Sequence, residues 1–257
     1  MSWKLPHSFD SAAADLVLPD HVLAMNLPAR LQMVASMVPR GQTLVDIGTD
    51  HARLPIALVA SGWCETAIAA DLRSRPLEGA SDNIARAGLV GRVVPRLGDG
   101  FDVLSEGEAG VATLAGMGGE NIGELIARGR PAALGVETMV VQANTNPHLV
   151  RGALWACGWR LEDERLCVDG ARMFLTLLAR AGQREGPAPS LSETMLGSFL
   201  PDRGGVLYEA WLGALFDHAE TRLEGVRTGG RDHSEIALCE AVLSLYEGLM
   251  PPRAVKK

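Results

Sequence analysis

Short apolar runs and amphipathic stretches alternate along the first 180 residues. Leu44-Val45, which runs into Asp46 and Gly48, and Thr66–Ala70, Val93–Leu97, Val111–Ala115 and Thr138–Val141 are short, mostly apolar runs. Such continuous runs read as strands buried on both faces, as in a parallel sheet. Before the first of them, Leu27, Leu31, Val34 and Val38 recur at helical spacing, with Asn26 placed as N-cap and Pro28 in the first turn. Helices are predicted after the strands over Ala52–Ala60, Arg75–Ala87, Asn121–Arg130 and Pro147–Cys157. Pro95 makes the third strand an edge or a short one. Two last strand-like runs, Arg160–Val168 and Met173–Ala179, flank Asp169-Gly170, a strong hairpin signal. The pattern predicts an α/β Rossmann-like fold of seven strands, the last antiparallel.

The pattern then changes. Gly182–Ser190 has the composition of a linker. Beyond it Leu207, Trp211, Leu215, Ala219 and Leu223 form one helical stripe, and Leu238, Val242, Leu245 and Leu249 a second, with Gly229-Gly230 between. An antiparallel helix pair is expected. The division is therefore an N-terminal extension (1–24), an α/β domain (25–181), a linker (182–190) and a C-terminal helical domain (191–257).

Composition narrows the function classes. At 257 residues, 47% hydrophobic and 21% charged, the chain is globular. No apolar run approaches the ~20 residues of a membrane span, and no secretion signal is evident. Cys64, Cys157, Cys167 and Cys239 are scattered without a C-x-x-C pair, which fits free thiols in a reducing cytoplasm better than a metal site. The net charge of −7 argues against a broadly basic nucleic-acid surface, although a local patch can coexist with it.

The chemistry gathers at the ends of the predicted strands. In Thr43–Pro55, TLVDIGTDHARLP, a buried run meets Asp46 and Gly48, where a residue without Cβ lets a ligand approach the backbone. Asp50 stands where a dinucleotide fingerprint needs its second glycine, and no Gly-Lys-Ser/Thr follows to make a P-loop. An acid at this point repels phosphate, so the site suits a nucleoside with a cationic amino-acid tail. Asp71, at the end of the second strand, is placed to accept ribose hydroxyls. Asp99, between Gly98 and Gly100, can reach an adenine amino group or simply make a turn. Gly116-Met117-Gly118-Gly119 ends the fourth strand, where backbone close to a substrate would explain the glycines.

These motifs carry a resemblance. Leu27-x-x-Arg30-Leu31-x-x-Val34-Ala35, VDIGTDHARLP (Val45–Pro55), LGDG (Leu97–Gly100), AGMGG (Ala115–Gly119) and Gln142-x-Asn144 together resemble the bacterial tRNA adenine-N1 methyltransferases that act on adenine 22. The resemblance spans about Met25 to Ala179. It implies a class I methyltransferase sheet, S-adenosyl-L-methionine as cofactor, tRNA as partner, no metal, and a monomer or weak homodimer. It places Asp46, Gly48 and Asp50 on the methionine and sugar side of the cofactor and Asp71 on the ribose hydroxyls, with Leu72 also among the cofactor-binding residues. Asp99 and Gly100 would meet the cofactor adenine, and Ala115, Gly116 and Met117 would border methyl transfer.

His51 and Asn144 are the candidates for contacting the target base. Structural alternatives stand beside them: a hydrogen bond at a helix start for His51, a cap for the helix near Pro147 for Asn144. Arg30 and Arg151 would meet tRNA phosphates or form surface salt bridges. Two positions depart from the family pattern, Asp71 in place of glutamate and Ala143 in place of proline, the latter expected to loosen the loop near the target base. The helix pair is expected to hold the tRNA body, with dimerisation or a lid as competing roles. Two other readings of the whole chain remain: a methyltransferase of the same fold acting on a small molecule or protein, and a non-catalytic S-adenosylmethionine-binding module.

Overall fold

The computed structural model describes residues 3–5, 18–182, 186–229 and 233–249. Most of the expected N-terminal extension, residues 183–185 of the expected linker and Gly230 of the glycine break lie outside the described residues. In chain order the elements are β1 Trp3–Lys4, α1 Asp20–Leu23, α2 Ala29–Met37, β2 Leu44–Ile47, α3 Arg53–Ala60, β3 Ala67–Asp71, α4 Ser74–Arg86 and β4 Val93–Leu97. There follow β5 Val111–Gly118, α5 Gly119–Gly129, β6 Thr138–Thr145, α6 Pro147–Ala156, β7 Trp159–Asp169 and β8 Arg172–Ala181. The C-terminal part holds α7 Leu191–Leu196, α8 Leu200–Arg203, α9 Gly205–Gly229 and α10 His233–Leu249.

The sheet runs β7-β8-β6-β5-β2-β3-β4. The pairs among β4, β3, β2, β5 and β6 are parallel, and β8 is antiparallel to both β6 and β7. This is the expected seven-stranded Rossmann-like sheet, with the Pro95 strand β4 at its edge. The two-residue β1 adds an antiparallel pair at Arg172 and Met173. Alternate residues of the central strands enter two cores, as a period of two requires. Val45, Ile68, Ala112, Met139 and Val141 join α5 and α6 on one face. Leu44, Ala67, Ala69, Val111 and Val140 join α2, α3 and α4 on the other.

The helices differ from expectation in three places. Asn26 is not an N-cap: its φ is +46°, and Pro28 occupies the cap position of α2. Asparagine tolerates the left-handed region better than most residues, and here it turns the chain into the helix. Leu18 and Val22 are buried against α2, and the His21 ring stacks on Trp63 at a centroid distance of 4.0 Å, so the end of the expected extension is part of a core. On α10 the expected stripe holds in part. Val242 is buried as expected, but Leu238 and Leu249 are 37% and 54% exposed, and Cys239, outside the stripe, is buried.

The C-terminal helices close onto the sheet. Trp211, Leu212, Leu215 and Phe216 of α9 share one apolar cluster with Leu154 of α6 and Trp159 of β7. Arg151, expected at the surface, is buried in this junction. Its guanidinium donates to Glu164 of β7 and to the carbonyls of Thr194 and Met195, and Glu164 accepts the Ser198 and Phe199 amides. Gly197 passes between them with φ +98°, and a Cβ there would lie 2.7 Å from Glu164 Oε2. Ala143 is also away from any loop. It is buried in the ladder opposite Leu175, because β6 continues to Thr145.

Candidate active site

A cavity of about 480 Å³ opens at the carboxyl ends of β2, β3 and β5, where ligands bind in open α/β sheets. Its lining includes Asp46, Gly48, Asp50, His51, Asp71, Leu72, Asp99, Gly100, Ala115, Gly116 and Met117. Eleven of the twelve residues singled out from the sequence therefore meet around one hollow. The twelfth, Asn144, is not in its lining.

The turn after β2 is built from unusual backbone. Gly48, Asp50 and Ala52 have φ of +74°, +54° and +55°. The amides of Gly48 and Thr49 both donate to the Ala70 carbonyl at 2.9 Å, tying the turn to β3. Asp71 continues the tie. Its Oδ2 accepts the Asp50 amide at 3.3 Å and its Oδ1 the Arg73 amide at 2.9 Å. One carboxylate thus braces two loops and holds lone pairs toward the cavity.

Asp46 lies deeper, 5% exposed. Thr113 Oγ1 donates to its Oδ1 at 2.6 Å and Thr49 Oγ1 to its Oδ2 at 2.7 Å. Burial pushes its carboxyl up to about 6, against the pull of the two threonine hydrogen bonds and with a smaller push from Asp71. Sequence reasoning overlooked both threonines. Thr113, a hydroxyl within an otherwise apolar strand, was the available signal, because buried strand positions rarely carry a polar group without a partner.

Asp99 is engaged at the surface. Arg128 of α5 donates to its Oδ2 at 2.7 Å, and that hydrogen bond holds the carboxyl below its ordinary range. Gly100, φ +60°, has no room for a side chain: a Cβ would lie 2.5 Å from Leu125 Cδ2.

The AGMGG segment is explained residue by residue. The β5–β6 register shifts between Ala115 and Met117, which removes the peptide groups of Gly116 from the ladder. Side chains of β6 replace it. The Gly116 amide donates to Gln142 Oε1 at 3.1 Å, and Asn144 Nδ2 donates to the Gly116 carbonyl at 2.7 Å. Gln142 Nε2 donates to Asn144 Oδ1 at 3.1 Å, closing the clamp. Met117 lies over Gly48, its Sδ 3.3 Å from where a Cβ would sit. Gly119 packs on the end of β6, with the Asn146 carbonyl oxygen 2.2 Å from a would-be Cβ.

Asn144 therefore acts on the β5 end and does not cap α6, whose N-cap position is Asn146. His51 lines the cavity with its Nε2 3.8 Å from Asp50 Oδ2 and 57% of its side chain exposed. Its carbonyl accepts from Asn83 Nδ2, which fixes its backbone.

Among the described residues no cluster of three or more His, Cys, Asp or Glu is arranged to hold a metal, and no helix is long and apolar enough to cross a membrane.

Comparison with known proteins agrees with this geometry. Residues 27–177 match the methyltransferase domain family. The tRNA (adenine(22)-N(1))-methyltransferase of Bacillus subtilis (strain 168) is 34% identical over 191 residues, covering 73% of this chain and 80% of that protein. The crystal structure of the B. subtilis M1A22 tRNA methyltransferase TrmK superposes with a TM-score of 0.75 at 27% identity, covering 87% of this chain and 97% of that one. Streptococcus pneumoniae Sp1610 in complex with S-adenosyl-L-methionine superposes with a TM-score of 0.71 at 29% identity, covering 83% and 98% of the two chains. With the glycine turn, the strand-end acids and the clamped AGMGG segment in one hollow, the chain belongs to the tRNA (adenine(22)-N1)-methyltransferase family.

Proposed function

We propose that this protein transfers a methyl group from S-adenosyl-L-methionine to N1 of adenine 22 in tRNA. The observation that carries the reading is the meeting of Asp46, Asp71 and Asp99 with the Gly116–Met117 segment around a single cavity at the carboxyl edge of the sheet. Its volume falls within the range of ligand pockets. The cavity also fits the cofactor chemically. Acids line it, as a ligand with an ammonium and a sulfonium requires, and Gly48 lets that ligand approach the turn.

When bound, S-adenosyl-L-methionine supplies an electrophilic methyl carbon. The protein's part is binding and alignment. Asp46 and Asp50 face the cationic tail, and Asp71 accepts from ribose hydroxyls with lone pairs its two backbone amides leave free. Asp99 and Gly100 would meet the cofactor adenine, and Leu72, in the same lining, would contact the cofactor. Ala115, Gly116 and Met117 form the wall beside the reacting centre. That wall must hold adenine N1 about 3–3.5 Å from the carbon it attacks. N1 carries its own lone pair, so no base is needed before attack. His51 contacts the target base from the cavity side, and Asn144 positions the wall through Gly116. Adenine 22 lies in a stem, so the base must leave its stack to enter the site.

Incubation with methyl-labelled cofactor and tRNA, followed by mapping of the modified nucleoside, tests the reading. Label in 1-methyladenosine at position 22 is expected. Label at another nucleoside, or none, would overturn it.

A further inference from the structure

Helix α5 starts directly after the clamped Gly116–Gly118 segment, and two of its residues, Asn121 and Leu125, line the cavity. Arg128 follows at helical spacing, so the three share one face of the helix. Each meets the site at a different point. Asn121 Nδ2 donates to Met117 Sδ at 3.5 Å, Leu125 fills the space beside Gly100, and Arg128 Nη1 donates to Asp99 Oδ2 at 2.7 Å. The end of the helix is seated on the turn that follows Asp99. A Cβ on Gly129 would lie 2.6 Å from Cδ2 of Phe101, which is buried. Leu125 and Gly129 therefore fix the distance between α5 and the turn that carries Asp99.

Arg128 has a choice of acids. Asp102 and Glu124 also act on its guanidinium through space, yet its hydrogen bond goes to Asp99. The two side chains are 54% and 41% exposed, so the pair adds little to stability. Its geometry bears on a ligand instead. Asp99 is part of the cavity lining and Arg128 is not. Arg128 thus holds one carboxylate oxygen from outside the lining, and among the described residues no group donates to the other. A half-exposed aspartate without such a partner samples several rotamers. Held by Arg128, it keeps one orientation before the ligand arrives and loses less freedom on binding. A carboxylate oxygen only accepts, so it selects the amino group of a nucleobase and repels a carbonyl oxygen in the same place.

Resting on the cofactor reading above, we infer that Arg128 is a positioning residue, which orients Asp99 so that the site selects the 6-amino group of the cofactor adenine over a 6-oxo base. Leu125 and Gly129 hold the turn at the separation this requires. Arg128 acts through Asp99 and not on the reacting atoms.

The test uses the full chain and two ligands without a transferable methyl group. These are S-adenosylhomocysteine and S-inosylhomocysteine, in which oxygen replaces the adenine amino group. Calorimetry measures the affinity of each. Wild type is expected to prefer the adenosyl ligand by roughly 10- to 100-fold, the range for a hydrogen bond to a charged group. Arg128→Met keeps much of the side-chain volume and should cut that preference by about 5-fold or more, through weaker binding of the adenosyl ligand. Arg128→Lys keeps the charge without the planar fork and should recover part of the preference. Asp99→Ala removes the acceptor, and Arg128→Met added to it should change the preference no further. An ion pair with a structural role alone would leave the ratio of the two affinities unmoved. Wild-type preference in Arg128→Met would therefore overturn the inference, as would equal binding of the two ligands by wild type or a further loss in the double variant. Methylation of tRNA by wild type is measured in parallel. If wild type methylates and Arg128→Met discriminates as wild type does, the assignment of Arg128 fails while the enzymatic reading stands. A wild type that binds neither ligand would overturn both.

Discussion

Arg151 Nε lies 2.6 Å from Glu164 Oε1 with both side chains almost wholly excluded from solvent, and this pair anchors the segment Thr194–Phe199 to α6 and β7. Two charges out of water are tolerated only when each is paired and its remaining sites are hydrogen-bonded. Glu164 meets that condition fully: Arg151 takes one oxygen, and two backbone amides take the other. Arg151→Met should therefore cost about 3–5 kcal/mol, because it leaves a buried carboxylate with its cation gone. Chemical denaturation of the variant beside wild type measures this. A joint replacement of both residues by apolar side chains should lose less.

Asp46 makes stability and cofactor binding respond to pH in opposite senses. Its carboxyl is pushed up to about 6 by burial, above its value of 3.8 in an unfolded chain. The folded protein therefore binds more protons than the unfolded chain between those values. The stabilisation is complete below about pH 4 and is lost as pH rises through about 6, by at most about 3 kcal/mol. The cationic cofactor prefers the ionised acid, so its affinity should rise over the same interval. Asp46→Asn should abolish both trends. Calorimetric titration with S-adenosyl-L-methionine from acidic to neutral pH, with thermal melts in the same buffers, would show it.

Two glycines of the site should differ in tolerance. Gly48→Ala puts a side chain at φ +74° against the flexible end of Met117, a strain of roughly 1–2 kcal/mol. Gly119→Ala would drive a methyl group into the Asn146 carbonyl oxygen, and backbone cannot yield as a thioether can. A loss above about 4 kcal/mol, or failure to fold, is expected there. Thermal melting ranks the two.

Asn144 and Gln142 grip Gly116 where the strand ladder is interrupted. Asn144→Asp loses the donor to the Gly116 carbonyl and keeps the shape of the side chain. Its kcat should fall about 10- to 100-fold through misplacement of the wall beside the reacting atoms. The Kd for the cofactor should change far less. Single-turnover rates and equilibrium titration separate the two quantities.

The strand ends were legible because three constraints coincide there. A buried parallel run must stop at a turn, the turn needs glycine, and an acid at that point has a ligand as its natural partner. Asp46 satisfies all three, Asp71 ends a buried run without a glycine, Asp99 stands between two glycines after the edge strand, and the three meet around one cavity. Side-chain partnerships across distant segments were not legible. Nothing near Arg151 marks it as buried, because Glu164 lies thirteen residues away on a strand that had no register until the sheet formed. Asn144 was open to a capping role because a proline follows it closely, and its true partner depends on a register shift in the neighbouring strand. Helical periodicity identified α10 and the burial of Val242, but the face of a helix that is buried is set by its neighbours, and here they take in Cys239 and leave Leu238 and Leu249 exposed.

The apolar cluster that joins Trp211 and Phe216 to Leu154 and Trp159 has a bearing on how the chain can be cut. Removal of everything after Ala181 would strip the roof from α6 and β7 and leave the Glu164 carboxylate without its amides. Such a fragment forfeits the fit of its own outer wall, so a drop in its activity would say little about which surface meets RNA. Point charges exchanged on the intact molecule are the cleaner instrument for that question.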